Sequence, residues 1–377
     1  MRKILVIMGT RPEAIKLAPV IRALRANPLV SVVTCTSGQH RDMVRPVCDL
    51  FDVAIDHDLD VMSAGQTLDR LTARIIEALP HIFAAEKPDL VVVQGDTTTA
   101  FAGALAAFYQ KVPVAHVEAG LRTHDLSTPW PEEGNRALIG RLATWHFAPT
   151  QAAHRNLLAE GVSGQIVTTG NTVVDAARLA AQQIKGAREL QIAARLGLGQ
   201  TQRPSILFTM HRRESFGAPA ERMFHALAAI TRQHDVDIIF PVHPNPAIRE
   251  PAARILGSSP RVRLIDPLDY DEIICALQRC TLLITDSGGL AEEAPTFSTP
   301  ALILRESTER PECVDSGNAR LVGYDADLLA ALVSELLSRG EMFDAMAAAP
   351  NPFGDGHAAD RIAAILSGQS SITAAAA

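Results

Sequence analysis

Three acidic side chains in the first half of the sequence could transfer protons, two just after short apolar runs and one at the start of a helical pattern. Asp96 and Glu118 each follow such a run, and Glu132 opens a helical pattern after Pro131. Each has an ordinary alternative role: Asp96 as a helix cap, Glu118 in a surface ion pair, and Glu132 as an acid favoured by the helix dipole. The presence of all three acids in one half of the sequence predicts general acid and base groups.

Groups that suit an anion occupy similar places in both halves. Arg11 follows the first apolar run, in a turn before a helix, and His211 follows a run in the second half. Ser287, Gly288 and Gly289 form a turn that offers N–H donors with no Cβ in the way. The alternatives are a solvated arginine, a hydrogen-bonded structural histidine and a simple glycine turn. Together with the acids, these groups predict a nucleotide diphosphate between two domains and an isomerase, lyase or hydrolase acting on a sugar nucleotide.

Short apolar runs without clean alternation, separated by helical patterns, predict the parallel strands that would position these groups. In such sheets ligands bind beyond the carboxyl ends of the strands. The predicted strands are residues 4–8, 30–34, 90–94, 114–117 and 145–147, then 206–210, 237–242, 262–265, 282–285 and 301–304. The predicted helices of the first half are residues 13–26, 65–85, 98–110, 132–143 and 152–160. The fold class is therefore α/β, with two Rossmann-like doubly wound domains facing a cleft.

The domain boundary is expected in a stretch rich in Ala, Gln and Gly, residues 178–203, which contains no strand candidate. The first domain, with the acids, then covers residues 1–185, and the second covers residues 200–352. Residues 353–368 begin within an Asn-Pro-Phe-Gly turn, residues 351–354, and contain a last amphipathic helix. Residues 369–377 form a polar and poly-Ala tail that we expect to be disordered.

Composition and charge argue against several functional classes. With 377 residues and 47% hydrophobic residues, the chain can bury two cores. The 35 Lys+Arg against 42 Asp+Glu give a net charge of −7, and only 5% of residues are aromatic, so a nucleic-acid partner is not expected. No apolar run is long enough for a signal peptide or a membrane span, which predicts a cytoplasmic protein without a membrane partner.

The sequence lacks the usual motifs for a metal or a nicotinamide cofactor. It has no Walker A, HExxH, GxSxG or strand-linked GxGxxG motif. The five cysteines show no CxxC pair or zinc-ligand spacing and are interpreted as buried free thiols. We therefore expect no cofactor and no metal.

Seven blocks in collinear order resemble the bacterial non-hydrolysing UDP-N-acetylglucosamine 2-epimerases, and the likeness runs from residue 4 to about residue 365. The blocks are residues 9–16 (GTRPEAIK), 95–99 (GDTTT), 116–122 (HVEAGLR), 131–133 (PEE), 211–214 (HRRE), 285–289 (TDSGG) and 308–312 (TERPE). The family commonly has glutamine where this chain has Ala291. That departure predicts an altered affinity and leaves the accepted sugar open.

The resemblance implies a glycosyltransferase-B-like fold whose last helix crosses back to the first domain, and a homodimer. It also implies interconversion of UDP-GlcNAc and UDP-ManNAc for cell-envelope polysaccharide, by elimination of UDP to 2-acetamidoglucal and re-addition, with UDP-GlcNAc as an activator. The implied catalytic residues are Asp96, Glu118, Glu132 and His211. The implied UDP-binding residues are Arg11, Lys16, His211, Ser287, Gly288, Gly289, Glu293 and Arg310. The implied activator site contains Gln39, His40, Gln66, Arg212 and His243.

Three other functions remain to be separated from this one. A hydrolysing 2-epimerase would release free ManNAc and UDP. A glycosyltransferase of the same fold would need an acceptor groove and has less use for three acids in one domain. A non-catalytic sugar-nucleotide sensor would not need the acids and His211 together.

Overall fold

The computed structural model describes residues 1–63, 65–308 and 310–368. The chain divides into two compact units. One contains the residues up to Leu179 and the described chain from Phe353 onward, and the other contains Ala180–Pro352. The division falls inside a helix, just after the start of the expected boundary stretch, residues 178–203. The expected disordered tail, residues 369–377, lies outside the described residues.

The first unit is built on a seven-stranded parallel sheet in the order β3-β2-β1-β4-β5-β6-β7. The strands are β1 Arg2–Met8, β2 Val30–Thr36, β3 His57–Asp58, β4 Leu90–Gln94, β5 Val114–Val117, β6 Trp145–Ala148 and β7 Gln165–Thr168. The helices are α1 Arg11–Arg25, α2 Arg41–Leu50, α3 Leu68–Glu86, α4 Thr98–Tyr109, α5 Glu132–Leu142, α6 Gln151–Ala159 and α7 Thr172–Gln183, which crosses the division between the units.

The central strands of this sheet are buried along nearly their whole length, which explains their continuous apolar runs. Every residue of β4 and β5 is buried. The helix α4 is rich in alanine and lies close to the sheet: a Cβ added at Gly103 would come within 3.2 Å of the Ile7 side chain. Small residues on α4 therefore set how near the helix approaches β1 and β4.

The second unit contains a six-stranded parallel sheet in the order β10-β9-β8-β11-β12-β13. Its strands are β8 Ser205–Thr209, β9 Asp237–Pro241, β10 Val262–Ile265, β11 Leu282–Thr285, β12 Ala301–Ile303 and β13 Ala319–Leu321. Its helices are α8 Ala187–Leu196, α9 Ala218–Gln233, α10 Pro246–Leu256, α11 Tyr270–Arg279, α12 Gly288–Glu293, α13 Pro311–Asp315, α14 Ala326–Leu337 and α15 Glu341–Ala348. Its core includes Phe208, Phe224 and Phe240, with ring centroids 4.7 to 6.2 Å apart.

The last helix, α16 Ala358–Leu366, belongs to the first unit. It packs against α1, and Arg2 Nη1 donates a hydrogen bond to the Leu366 carbonyl oxygen at 2.7 Å. The Asp175 carboxylate accepts hydrogen bonds from the backbone N–H groups of Ala358 and Ala359, at 3.3 and 2.9 Å. A buried carboxylate therefore caps the start of α16.

The two parallel sheets with alternating helices confirm the predicted fold class. The ten predicted strands are all present, but β3, β7 and β13 were missed, as was α2. Two of these strands are only two or three residues long, and β7 is an edge strand that is not buried. Such strands lack the continuous apolar run that marks the central ones. All five cysteines are free and buried, as interpreted.

Each sheet reverses its strand order once near its middle, between β1 and β4 in the first unit and between β8 and β11 in the second. Residues that follow these strands meet at the carboxyl edge, where open α/β sheets bind ligands. Arg11 follows β1, Asp96 follows β4, His211 follows β8, and Ser287 follows β11. None of the helices within the described ranges has the length and apolar character needed to cross a bilayer.

Candidate active site

Glu118 lies directly after β5 and is held on several sides. Lys16 Nζ lies 2.5 Å from its Oε1 atom, Asn171 Nδ2 donates to the same oxygen at 3.3 Å, and Gln94 Nε2 donates to Oε2. The residue is 8% exposed and its φ of 62° lies in the left-handed region, which non-glycine residues rarely adopt. A strained backbone with this many partners indicates a carboxylate whose position is over-determined.

Lys16, which the resemblance places at UDP, lies within ion-pair distance of Glu118. The lysine is 9% exposed and projects from α1. Two buried opposite charges offset part of each other's desolvation cost. The structure therefore joins the β1–α1 segment to the end of β5 through this pair.

Asp96 follows β4 and is connected to α5. Asn135 Nδ2 donates to its carbonyl oxygen at 2.9 Å, and Arg136 Nε lies 3.6 Å from its carboxylate. Arg136 is only 5% exposed and also pairs with Glu133 at 3.0 Å. The buried guanidinium thus holds two carboxylates from different elements.

Glu132 and Glu133 are neighbours at the start of α5 but differ in environment. Glu133 is 2% exposed, and its carboxylate accepts hydrogen bonds from the backbone N–H groups of Thr123 and His124, at 3.1 and 3.0 Å. Glu132 is half-buried and has no hydrogen-bond or ion-pair partner within the described chain. Glu133 therefore orders the preceding loop, and Glu132 is the carboxylate that remains available for chemistry.

The turn between β1 and α1 is held by Glu13, to which sequence reasoning assigned no role. Its Oε2 atom accepts hydrogen bonds from Gly9 N, Thr10 N and Thr10 Oγ1, at 3.0, 2.7 and 2.8 Å. Its Oε1 atom accepts one from Thr97 Oγ1 at 2.8 Å. Complete burial raises the pKa of Glu13 to about 7, although these hydrogen bonds act in the opposite direction. Arg11 lies in the chain between Thr10, which Glu13 binds, and Glu13 itself.

Three turns of the first unit meet at Gly9. A Cβ at this position would lie 2.2 Å from Thr99 Oγ1 and 2.3 Å from Ser37 Oγ, so only glycine fits. The backbone N–H of His40 donates to the Gly9 carbonyl oxygen at 2.8 Å, and Thr99 Oγ1 donates to Gln39 Oε1 at 3.0 Å. Of the residues implied for an activator, His40 therefore contacts the turn that precedes Arg11, and Gln39 contacts Thr99, whose side chain lies against Gly9.

The other implied activator residues lie elsewhere in their units. In the first unit, Gln66 Oε1 accepts hydrogen bonds from the backbone and hydroxyl of Ser63, just before α3. In the second unit, His243 Nδ1 accepts from the Asn245 N–H at 3.2 Å, and its ring centroid lies 6.2 Å from that of Phe216.

Asp286, another residue without an assigned role, is the central buried acid of the second unit. It is fully buried at the end of β11. Its Oδ2 atom accepts hydrogen bonds from His211 N, Arg212 N and Ser215 Oγ, each at 2.9 Å. Its Oδ1 atom lies 3.2 Å from His211 Nδ1. Burial lowers the pKa of His211, the Asp286 charge opposes this, and Arg212 and His243 lower it further.

The Ser287 turn begins α12, and Ser287 Oγ caps this short helix by accepting a backbone N–H at 3.4 Å. Gly288 and Gly289 open the helix, and a Cβ at Gly288 would lie 3.9 Å from the Arg212 guanidinium. Glu293 is buried at the other end of α12. The structure thus places Arg212 beside the turn predicted to hold the diphosphate.

Arg310, implied at UDP, forms a close ion pair with Glu292, a buried residue of α12. Ala291 is 2% exposed, and its carbonyl oxygen lies 3.3 Å from Cys313 Sγ. The position where the family commonly has glutamine is therefore enclosed by protein. In the described residues, no group of three His, Cys, Asp or Glu side chains is arranged to hold a metal ion.

A family model described as UDP-N-acetylglucosamine 2-epimerase matches residues 22–367. The chain belongs to this family. The UDP-N-acetylglucosamine 2-epimerase of Escherichia coli (strain K12) is 48% identical over 364 residues, which cover 96% of this chain and 97% of that protein. The enzyme of the same name from Campylobacter jejuni is 41% identical, and 97% of each chain is covered.

Solved structures of the 2-epimerase family have the same fold. UDP-GlcNAc 2-epimerase from Neisseria meningitidis, bound to UDP-GlcNAc, superposes with a TM-score of 0.89 at 40% identity, covering 97% of this chain and 99% of that one. The Methanocaldococcus jannaschii enzyme in complex with UDP-GlcNAc and UDP gives 0.79 at 33%, with the same coverage. The glycosyltransferase SnogD from Streptomyces nogalater gives 0.57 at 17%, which shows the shared fold alone. These likenesses confirm the predicted glycosyltransferase-B-like class.

The raised pKa of Glu13 predicts how the stability of this 2-epimerase family member depends on pH. The folded protein holds the Glu13 proton more tightly than the unfolded chain, so this residue's contribution to stability falls as the pH rises from 4.5 to about 7. Gln stays neutral and can accept the same N–H bonds. We expect Glu13→Gln to gain stability relative to wild type between pH 5 and pH 8, by at most roughly 3 kcal/mol.

Denaturant unfolding of both proteins at the two pH values measures this difference. Glu335→Gln, at an exposed position of α14, is the matched control and should show no such change. A Glu13→Gln difference that is the same at pH 5 and pH 8 would contradict the raised pKa.

Proposed function

We propose that this protein interconverts UDP-GlcNAc and UDP-ManNAc without releasing free sugar. Membership of the 2-epimerase family supports the reaction, and its relatives from N. meningitidis and M. jannaschii have been crystallised with UDP-GlcNAc. The observation that carries the proposal is that three carboxylates of the first unit differ in their hydrogen-bond and ion-pair partners. Glu118 is held by Lys16, Asp96 lies beside Arg136, and Glu132 is unpartnered among the described residues.

The proposed reaction begins by eliminating UDP. A carboxylate takes the C2 proton, the C1–C2 double bond of 2-acetamidoglucal forms, and the electrons of the C1–O bond leave with UDP. Negative charge therefore grows on the diphosphate, where fixed cations and N–H donors lower the barrier. Arg11, His211 and the Ser287 turn are the groups proposed for this role.

Re-addition of UDP must return a proton to the other face of C2, which requires more than one positioned acid or a re-oriented intermediate. Glu118 already accepts bonds from Lys16, Gln94 and Asn171, so its orientation is fixed. Glu132 keeps both oxygens available in the described structure. We assign proton transfer at C2 to these two residues and Asp96, and the ribose hydroxyls to Glu293.

We also propose that the enzyme works as a homodimer, that its product supplies cell-envelope polysaccharide, and that UDP-GlcNAc activates it. The first two proposals rest on the family resemblance. Activation has support in the first unit, where His40 donates to the Gly9 carbonyl oxygen and Gln39 accepts from Thr99. A ligand bound to Gln39 and His40 would shift the position of the turn that carries Arg11.

Isotope exchange tests the reaction. In D₂O with UDP-GlcNAc, elimination and re-addition should place deuterium at C2 of the UDP-ManNAc formed, because the proton comes from solvent-exchanged carboxyl groups. An NMR time course should show two nucleotide sugars. Accumulation of free ManNAc and UDP would instead show a hydrolysing enzyme, and no conversion would favour a sensor.

Glu118→Gln tests the assignment of the acids. The amide cannot take the C2 proton, so we expect kcat to fall by about 10²- to 10⁴-fold, with UDP affinity, measured by calorimetry, changed only slightly. Glu86→Gln is the matched control, because Glu86 ends α3 and pairs with Lys3 and His57 rather than with the site. A fully active Glu118→Gln protein would refute the mechanism.

Activation is tested with UDP-ManNAc as the sole substrate. The progress curve should begin with a lag, because no activator is present, and trace UDP-GlcNAc should remove it. A linear initial rate that trace UDP-GlcNAc leaves unchanged would exclude activation.

A further inference from the structure

We propose that Asp286 is a positioning residue for His211. Its carboxylate accepts a hydrogen bond from Nδ1–H of the imidazole, so that Nε2 is the ring atom that faces the diphosphate. The inference rests on the proposed function in giving His211 a diphosphate to bind. The arrangement of Asp286 and His211 can be measured without any ligand.

The geometry brings one carboxylate against both the backbone and the ring of His211. Asp286 Oδ2 accepts the His211 N–H at 2.9 Å, and Oδ1 lies 3.2 Å from Nδ1. The carboxylate is fully buried, whereas the His211 side chain is 46% exposed. The ring therefore has one edge against a buried acid and the opposite edge, with Nε2, directed away from it.

The carboxylate itself is held rigidly. Its Oδ2 atom also accepts from Arg212 N and from Ser215 Oγ, both at 2.9 Å. The Ser215 hydroxyl in turn lies 2.9 Å from the Tyr324 hydroxyl. Among the described residues, no Lys or Arg forms an ion pair with Asp286. Its negative charge therefore faces the His211 imidazole, whose Nδ1 atom lies 3.2 Å from Oδ1.

The charge of Asp286 opposes everything else around the ring. Burial disfavours the imidazolium, and the nearby Arg212 and His243 lower the pKa of His211 as well. Asp286 is the group that raises it. Without the carboxylate, His211 would be neutral over more of the pH range. The form that binds the diphosphate is the imidazolium, which donates Nδ1–H to Asp286 and Nε2–H to a phosphate oxygen, because the neutral ring with its proton on Nδ1 has no N–H at Nε2.

A purely structural role predicts something different. If Asp286 only fastened the turn after β8, its loss would act through the backbone of His211 and Arg212. Loss of Ser215, which donates to the same oxygen, would then disturb His211 in a similar way. The two roles are separated by the protonation of the imidazole itself.

The first test is ¹⁵N NMR of protein labelled at histidine, with His211→Asn used to identify the signal. In the wild-type protein, neutral His211 should carry its proton on Nδ1. Asp286→Asn should lower the pKa of His211, whereas Ser215→Ala should leave both the tautomer and the titration close to wild type. A wild-type ring protonated on Nε2, or equal shifts in the two variants, would overturn the proposal. The wild-type result decides even if Asp286→Asn fails to fold.

The second test follows UDP-GlcNAc affinity with pH, since this diphosphate diester does not titrate near neutrality. Affinity should fall as the pH rises through the pKa of His211. Asp286→Asn should move that fall to lower pH and weaken binding about fivefold at the wild-type midpoint. In the His211→Asn background, Asp286→Asn should add little.

The two tests separate the positioning role from the proposed function. If NMR shows the Nδ1 proton and the shift, but affinity is independent of pH and of His211→Asn, the diphosphate role of His211 is refuted while the positioning of its ring stands. If affinity responds to Asp286→Asn equally with and without His211, Asp286 does not act through the histidine.

Discussion

A buried carboxylate that accepts consecutive backbone N–H groups is the interaction on which both candidate ligand turns depend. In the first unit, Glu13 binds the N–H groups of Gly9 and Thr10, immediately after β1. In the second unit, Asp286 binds those of His211 and Arg212, after β8. The strands β1 and β8 are the first in chain order in their sheets, and each lies next to the point where the strand order reverses. The same physical solution therefore fixes the two turns that carry Arg11 and His211.

The acid comes from a different element in each unit, and this changes what it can do. Glu13 lies in the helix that follows its own turn and also reaches Thr97, so it joins neighbouring turns while carrying a pKa near neutrality. Asp286 ends the neighbouring strand and faces an ionisable ring. Burial of a carboxylate is costly unless hydrogen bonds or a cation offset it. For Glu13 the cost is offset by hydrogen bonds, whereas Asp286 has hydrogen bonds and also lies beside the His211 imidazole.

Sequence reasoning recovered the elements that are buried on both faces. The bounds of β4, β5 and β11 were predicted to the residue, because each is a short, fully buried run that is followed at once by turn residues. The edge strand β7 was missed because its exposed side chains give no such run. Periodicity reports burial, and edge strands are only partly buried.

The candidate site was predicted in its strand-end residues but not in their partners. Lys16 and Glu118 are far apart in sequence, and only the pairing of β1 with β4 and of β4 with β5 brings them together. Asn171 and Arg136 sit where no local pattern marks a site. Asp286 lies in the block of residues 285–289 but received no role, because the sequence alone does not show which side chain an acid at a strand end will contact.

The close approach at Gly9 limits how the first unit can vary. The side chains of Ser37 and Thr99 already fill the space that a Cβ would need, and their hydroxyls lie 2.8 Å apart. Neither can be enlarged without displacing the other or the glycine. The side chains at positions 9, 37 and 99 therefore occupy one common space. A larger side chain at one of these positions requires a smaller side chain at another.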